Sequence, residues 1–153
     1  MAEVMYLYSI IGDDNLISEQ TIFPGLIIAK TNQNTFESIK KLRILIENDP
    51  LILRFVLKII PIDEIVESSQ EKIIEKAKEL SEGISETETF RISIKTRYTM
   101  LDSRDLVIKV ADLIDRKVNL TKPDKILMIQ ILGQITGISL LRPNDILSKA
   151  EFS

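Results

Sequence analysis

Residues 90–97 read F-R-I-S-I-K-T-R, a strict alternation of apolar and polar side chains that fits the two-residue period of a β-strand. In that conformation Phe90, Ile92 and Ile94 point into a core, while Arg91, Ser93, Lys95 and Arg97 share the opposite face. A strand with one apolar and one basic face needs a second layer over the apolar side, and the flanking segments supply helical periods to build it.

Upstream, Met5–Ile11 and Leu26–Ala29 are expected as strands, the first an apolar run with two Tyr, the second following the turn pair Pro24-Gly25. Thr35 is the expected N-cap of a helix with Phe36, Ile39, Leu42 and Leu45/Ile46 as its apolar stripe, ending near Asn48-Asp49-Pro50. Leu53–Ile60 reads as a third strand. Ser68-x-x-Glu71 has the form of a capping box, opening a helix with Ile73, Ala77, Leu80 and Ile84 on one face. Downstream of the basic strand, Asp102 or Ser103 caps a helix running to about Lys117, with Leu106, Val110, Leu113 and Ile114 inward. Ile126–Leu132 and Thr136–Leu141 then form a hairpin about Gly133-Gln134-Ile135, where Gly133 serves a turn and Gly137 a close backbone approach. Interleaved strands and helices with short connections give an α+β or α/β expectation in two adjoining layers.

Chemistry is constrained mainly by what is missing. The 153 residues contain neither His nor Cys, which removes the commonest general base, thiolate nucleophiles, disulfides and the usual zinc ligands. Phosphate-cradling glycine loops are also absent from the sequence, so no cofactor, no metal site and no catalytic residue is expected. No apolar run approaches the roughly 18 residues that span a bilayer, and the N-terminal stretch lacks a signal-peptide pattern. A cytoplasmic protein without membrane contact is the expectation.

Net charge is −3, but it is unevenly spread. Residues 1–89 carry 9 Lys/Arg against 16 Asp/Glu, a net of −7, whereas residues 90–149 carry 11 against 6, a net of +5. Such polarity points to an electrostatic footprint in the second half, although an asymmetry of this size also arises by chance.

From Pro61 onward the chain resembles the THUMP domain, a module of tRNA-modifying enzymes and their accessory proteins. The resemblance is carried by P-I-D-E-I-V at 61–66, E-T-F-R-I-S-I-K-T-R at 88–97 and S-R-D-L at 103–106, continuing through V-N-L-T-K-P-D-K-I at 118–126 and I-L-G-Q-I-T-G-I-S-L-L-R-P-N-D-I at 131–146. It implies an α+β fold with a ferredoxin-like N-terminal subdomain over residues 1–60 and a THUMP domain, a mixed sheet with helices, over 61–153. The link between the first two expected strands is short and polar, which puts the first helix of the ferredoxin-like part in doubt. With no methyltransferase, thiolation or deaminase domain, the chain is similar to stand-alone members such as the accessory protein for N4-acetylcytidine formation. The resemblance then implies a non-catalytic protein that binds the acceptor region and 3′ end of tRNA while a separate enzyme, an acetyltransferase in that example, does the chemistry.

The candidate RNA contacts are Lys95, Arg97, Arg104, Lys125 and Arg142, with Tyr98 and Lys109 as additions. Lys and Arg neutralise phosphates and release counterions, Arg104 opens a helix whose free N–H groups suit an anion, and Tyr98 is a stacking side chain. Each has a plainer reading. Lys95 and Arg97 fit the solvated face of an amphipathic strand, Arg104 a local pair with Asp105 or Glu88, Lys125 a surface turn and Arg142 the end of the hairpin. A ferredoxin-like regulatory module that binds a metabolite or a protein partner is the competing function, and an enzyme built on Lys, Ser or Asp the third. Oligomeric state is left open.

Overall fold

The computed structural model describes residues 1–152. In chain order the elements are helix α1 (Ala2–Ile10), strands β1 (Ile17–Gln20) and β2 (Ile27–Lys30), helix α2 (Thr35–Asn48), strands β3 (Lys58–Ile59) and β4 (Glu64–Glu67), helix α3 (Gln70–Ser81), strand β5 (Thr89–Arg97), helix α4 (Ser103–Ala111), and strands β6 (Lys117–Val118), β7 (Lys125–Leu132), β8 (Ile135–Leu141) and β9 (Leu147–Ser148). This is the expected α+β class. No helix among the described residues is long and apolar enough to cross a membrane.

The chain divides into two compact units, one of residues 1–61 with the segment from Asp145 onward, the other of Ile62–Asn144. The second unit ends at Asn144. Residues 147–148 return to the first unit as β9, antiparallel to β3, with Lys58 opposite Ser148 and Ile59 opposite Leu147.

In the first unit the expected opening strand is a helix. Val4, Leu7 and Tyr8 are buried at helical spacing, and the Tyr8 hydroxyl lies 3.0 Å from Ser38 Oγ on α2. The apolar run at 5–11 thus packs on a period of three to four, not two. Ile39, Leu42 and Ile46 of α2 complete this core with Leu16, Leu53 and Leu147. The cap of α2 is Asn34, accepting from the Glu37 N–H at 3.0 Å, one residue before the expected Thr35. The described strands of this unit pair as two ribbons, β1 with β2 and β3 with β9.

The expected strand Leu53–Ile60 survives only as β3. Its first half is claimed by Glu3, whose carboxylate accepts from the backbone N–H of Arg54, Phe55 and Val56 at 2.6, 2.9 and 2.6 Å. Those donors are unavailable to a ladder, and the segment folds around the carboxylate instead.

The second unit holds a five-stranded mixed sheet in the order β4-β8-β7-β5-β6. Strands β5 and β7 pair in parallel from Phe90–Lys125 to Arg97–Leu132, and β7 pairs antiparallel with β8. Parallel neighbours need a crossover, and α4 provides it. Ile73 and Ala77 from α3, with Leu106 and Val110 from α4, pack on Phe90, Leu127, Ile129, Ile131 and Ile138, all at most 1% exposed. Both helices therefore cover the face to which Phe90, Ile92 and Ile94 point.

Helix boundaries shift where a competing bond wins. Ser69, not Ser68, caps α3, accepting from the Lys72 N–H at 3.2 Å, because Ser68 is held by the Thr136 hydroxyl at 2.8 Å and the Gln134 carbonyl. Asp102 caps α4 as expected, but the helix ends at Ala111, and tighter turns beyond it leave Leu113 45% exposed while Ile114 stays buried. Gly133 takes a left-handed φ of 62° in the hairpin turn, and a Cβ on Gly137 would stand 3.0 Å from Ile62 Cδ1, so both glycines do structural work.

For Glu3, burial opposes the charge, but the three backbone N–H groups outweigh it and hold the carboxyl below its ordinary value of 4.5. A lowered native value stabilises the fold above the ordinary carboxylate range, and that stabilisation is lost as pH falls through the native value. Glu3→Gln, which keeps an acceptor but removes the charge, is expected to cost about 1–2 kcal/mol at neutral pH. Urea unfolding of the two proteins across pH checks this: the gap closes in acid, and a gap that does not vary with pH refutes the carboxylate as its source.

Candidate nucleic-acid interface

Strand β5 delivers Lys95 and Arg97 to the sheet face opposite the helices, and both are exposed. Neither has an ion-pair partner among the described residues, which removes the simplest neutralised reading. The strand then ends abruptly. Gly133 N–H donates to the Arg97 carbonyl at 2.8 Å, tying the strand end to the β7–β8 turn, and Tyr98 adopts φ of 50°. A left-handed Tyr costs of order 1 kcal/mol. It turns the backbone out of the sheet and leaves the ring 78% exposed.

Residues 98–102 lead to α4, so Arg104 stands at the same end of the sheet as Arg97, on the helix-covered side. Arg104 is exposed and has no ion-pair partner among the described residues; the expected local pairs with Asp105 and Glu88 do not form. The anion site expected at the start of α4 is altered by its cap, because Asp102 accepts from the Asp105 N–H at 3.1 Å and both carboxylates lie in the first turn. Negative charge already occupies the helix terminus, and any phosphate contact there falls to the Arg104 side chain. The start of α3 lies at this end too, with Gln70 Nε2 donating to Asp105 Oδ2 at 3.3 Å.

The remaining candidates are placed elsewhere. Lys109 pairs with Asp105 at 2.9 Å. Lys125 pairs with Glu88 at 3.3 Å and donates to the Gly83 carbonyl at 3.0 Å, and Arg142 pairs with the same Glu88 at 3.5 Å. Lys125 lies opposite Phe90 and Arg97 opposite Leu132 in the same ladder, seven residues apart, or about 23 Å at the usual strand rise. The seven residues are therefore not one surface. Lys95, Arg97 and Tyr98 lie at the end of β5, Arg104 lies at the same end but on the helix-covered side, and Lys125 and Arg142 form a structural cluster at the other end.

Charge is also distributed differently from the half-and-half division of the sequence. The fold boundary puts the acidic stretch 62–89 in the same unit as the basic strand, and residues 62–144 hold 13 Lys/Arg against 14 Asp/Glu. Any attraction for a polyanion is therefore local, at the end of β5 or around Lys117 and Lys122 at its start, which are also exposed and without ion-pair partners among the described residues. Met100, 101% exposed two residues after Tyr98, belongs to that end and was not among the candidates. Its signal was an apolar residue in the Y-T-M-L loop that fits no helical or strand period. No group of three or more His, Cys, Asp or Glu among the described residues is placed to hold a metal ion.

Residues 67–141 match the family model of the THUMP domain. Two solved structures are similar over nearly the whole chain. One is PH1313 from Pyrococcus horikoshii Ot3, with a TM-score of 0.64 and 21% identity over 96% of this chain and 48% of that one. The other is TrmN from Thermus thermophilus, with a TM-score of 0.60 and 12% identity over 94% and 43%. At these identities the likeness is one of fold, and the chain spans under half the length of either structure. No curated protein matches the chain.

The Ser85 N–H, at 2.9 Å, and then Lys125 hold the Glu88 carboxyl below its ordinary value against the opposing effect of burial. In a carbon-detected NMR titration Glu88 is expected to titrate below the ordinary glutamate value, and Lys125→Met to move its midpoint upward. A midpoint unmoved by that substitution would dissolve the cluster assigned to Lys125 and Arg142.

Proposed function

Because the chain carries a THUMP domain at residues 67–141, we propose that it binds tRNA and presents it to a separate modification enzyme. The observation that carries this reading is the pair Lys95 and Arg97, exposed and without ion-pair partners among the described residues at one end of β5, followed by the exposed ring of Tyr98. Two cations spaced two residues apart on a strand suit successive phosphates, and an adjacent aromatic ring suits an unstacked base. Arg104 extends the same end of the sheet from α4. All four lie inside the matched segment, whereas Arg142 falls one residue beyond it.

The reading extends to the acceptor region and single-stranded 3′ end of tRNA, and to cytidine N4-acetylation by a partner acetyltransferase. The sequence motifs at 88–97 and 118–146 support that extension, and the absence of His and Cys supports leaving the chemistry to the partner in the cytoplasm. Recognition through cations and one ring favours backbone and shape over a long base-by-base readout.

Three cations predict a log–log salt dependence with a slope of about −2 to −3. Lys95→Glu with Arg97→Glu should weaken tRNA binding at least about tenfold and flatten the slope by about two, with the circular dichroism spectrum unchanged. Arg142→Gln should leave affinity within about twofold, since that residue is held by Glu88. Filter binding across salt concentrations decides the matter: full affinity in the double variant, or a large loss in Arg142→Gln, places the site elsewhere.

A further inference from the structure

Strand β7 reads K-I-L-M-I-Q-I-L, and Gln130 is the one polar residue between Ile126 and Leu132. It is only 8% exposed, but its carboxamide is not among the buried side-chain groups left without a partner, and with no hydrogen bond among the described residues its polar end meets solvent. Leu or Met would fill similar volume in this strand, so shape alone does not require an amide. Packing alone does not account for a glutamine here.

Its neighbours do. The register places Gln130 opposite Lys95 of β5 and opposite Gly137 of β8, with all three on the face away from the helices. Gly137 contributes no side chain beside it, and Ile62 lies over that glycine, within 3.0 Å of where a Cβ would stand, closing the far side. On the near side stand Lys95 and Arg97, one strand spacing away, or about 4.8 Å for Lys95. A phosphate held by these cations brings the rest of its own nucleotide above the carboxamide.

We infer that Gln130 is a base-contacting, specificity-determining residue of the RNA site, reading the edge of one unstacked base in a single strand whose phosphates lie on Lys95 and Arg97. The inference rests on the proposed RNA binding and deepens it. A carboxamide presents a donor and an acceptor side by side, the pattern that Gln and Asn use on adenine edges, and unstacked bases are the ones that proteins read in RNA. Adenine is therefore the base it fits best.

The test titrates the full chain with short oligoribonucleotides of A, C or U, and with tRNA, by fluorescence anisotropy. The wild type should prefer the A oligomer by about fivefold or more. Gln130→Leu and Gln130→Met should each reduce that preference to within about twofold, keep the salt slope and melt no lower than the wild type. The slope and melting temperature separate a lost base contact from a disturbed strand. A preference that survives in a folded variant overturns the inference while leaving tRNA binding intact, as does a wild type that binds tRNA without preference among the oligomers. Loss of the slope together with the preference, or failure of both variants to fold, overturns it as well. A wild type that binds neither tRNA nor any oligomer at low salt removes the parent reading and this inference with it.

Discussion

The parallel pairing of β5 with β7 governs both the core and the exposed face of the second unit. Eight residues of each strand are in register, from Phe90–Lys125 to Arg97–Leu132. Parallel neighbours cannot be joined by a tight turn, so the chain crosses over through α4, whose Leu106 and Val110 bury against the sheet. Once that crossing commits one face to the helices, alternation along β5 sends Lys95 and Arg97 to the other. The basic pair and the hydrophobic core are thus two outcomes of one register, and a slip by one residue would exchange them.

The cations matter through their partners more than their number. The unit formed by residues 62–144 is close to neutral, and several of its cations are engaged by neighbouring carboxylates. Glu88 alone engages Lys125 and Arg142, fastening the start of β7 and the end of β8 to the loop before β5. With those two committed to the fold, Lys95, Arg97 and Arg104 stand at the opposite end of the sheet with no such partner among the described residues. A small basic patch on a neutral body binds by geometry and local field rather than by bulk charge.

Much of the second unit was legible because its strands obey local rules. The alternation at 90–97, the capping Asp102 and the glycine-marked hairpin each report a contact made within a few residues or between adjacent strands. What was illegible depends on groups far apart in the chain. Leu53–Ile60 has strand composition, but Glu3, some fifty positions earlier, takes the N–H groups that a ladder would need. Ser68 looks like the cap in S-x-x-E, but Thr136 holds its hydroxyl and passes the role to Ser69. Met5–Ile11 is apolar nearly throughout, so neither period stands out, and only the packing of Val4, Leu7 and Tyr8 against α2 decides for a helix. The places of Lys95, Arg97 and Tyr98 at a strand end and of Arg104 at a helix start were readable. The separation of Lys125 and Arg142 from them was not, because it is set by which residues of β5 and β7 face each other.

The pairing of β3 with β9 makes the chain nested: the segment that completes the first unit is synthesised after the whole of the second. As the nascent chain leaves the ribosome, residues 62–144 have all their own unit's partners before Ile59 meets Leu147 or Arg43 meets Glu151. The inserted unit is free to fold first, and its host must wait, half-built, for the segment that begins at Asp145. Closure of that late clasp makes β9 a checkpoint on whether the earliest stretch acquires its mature form.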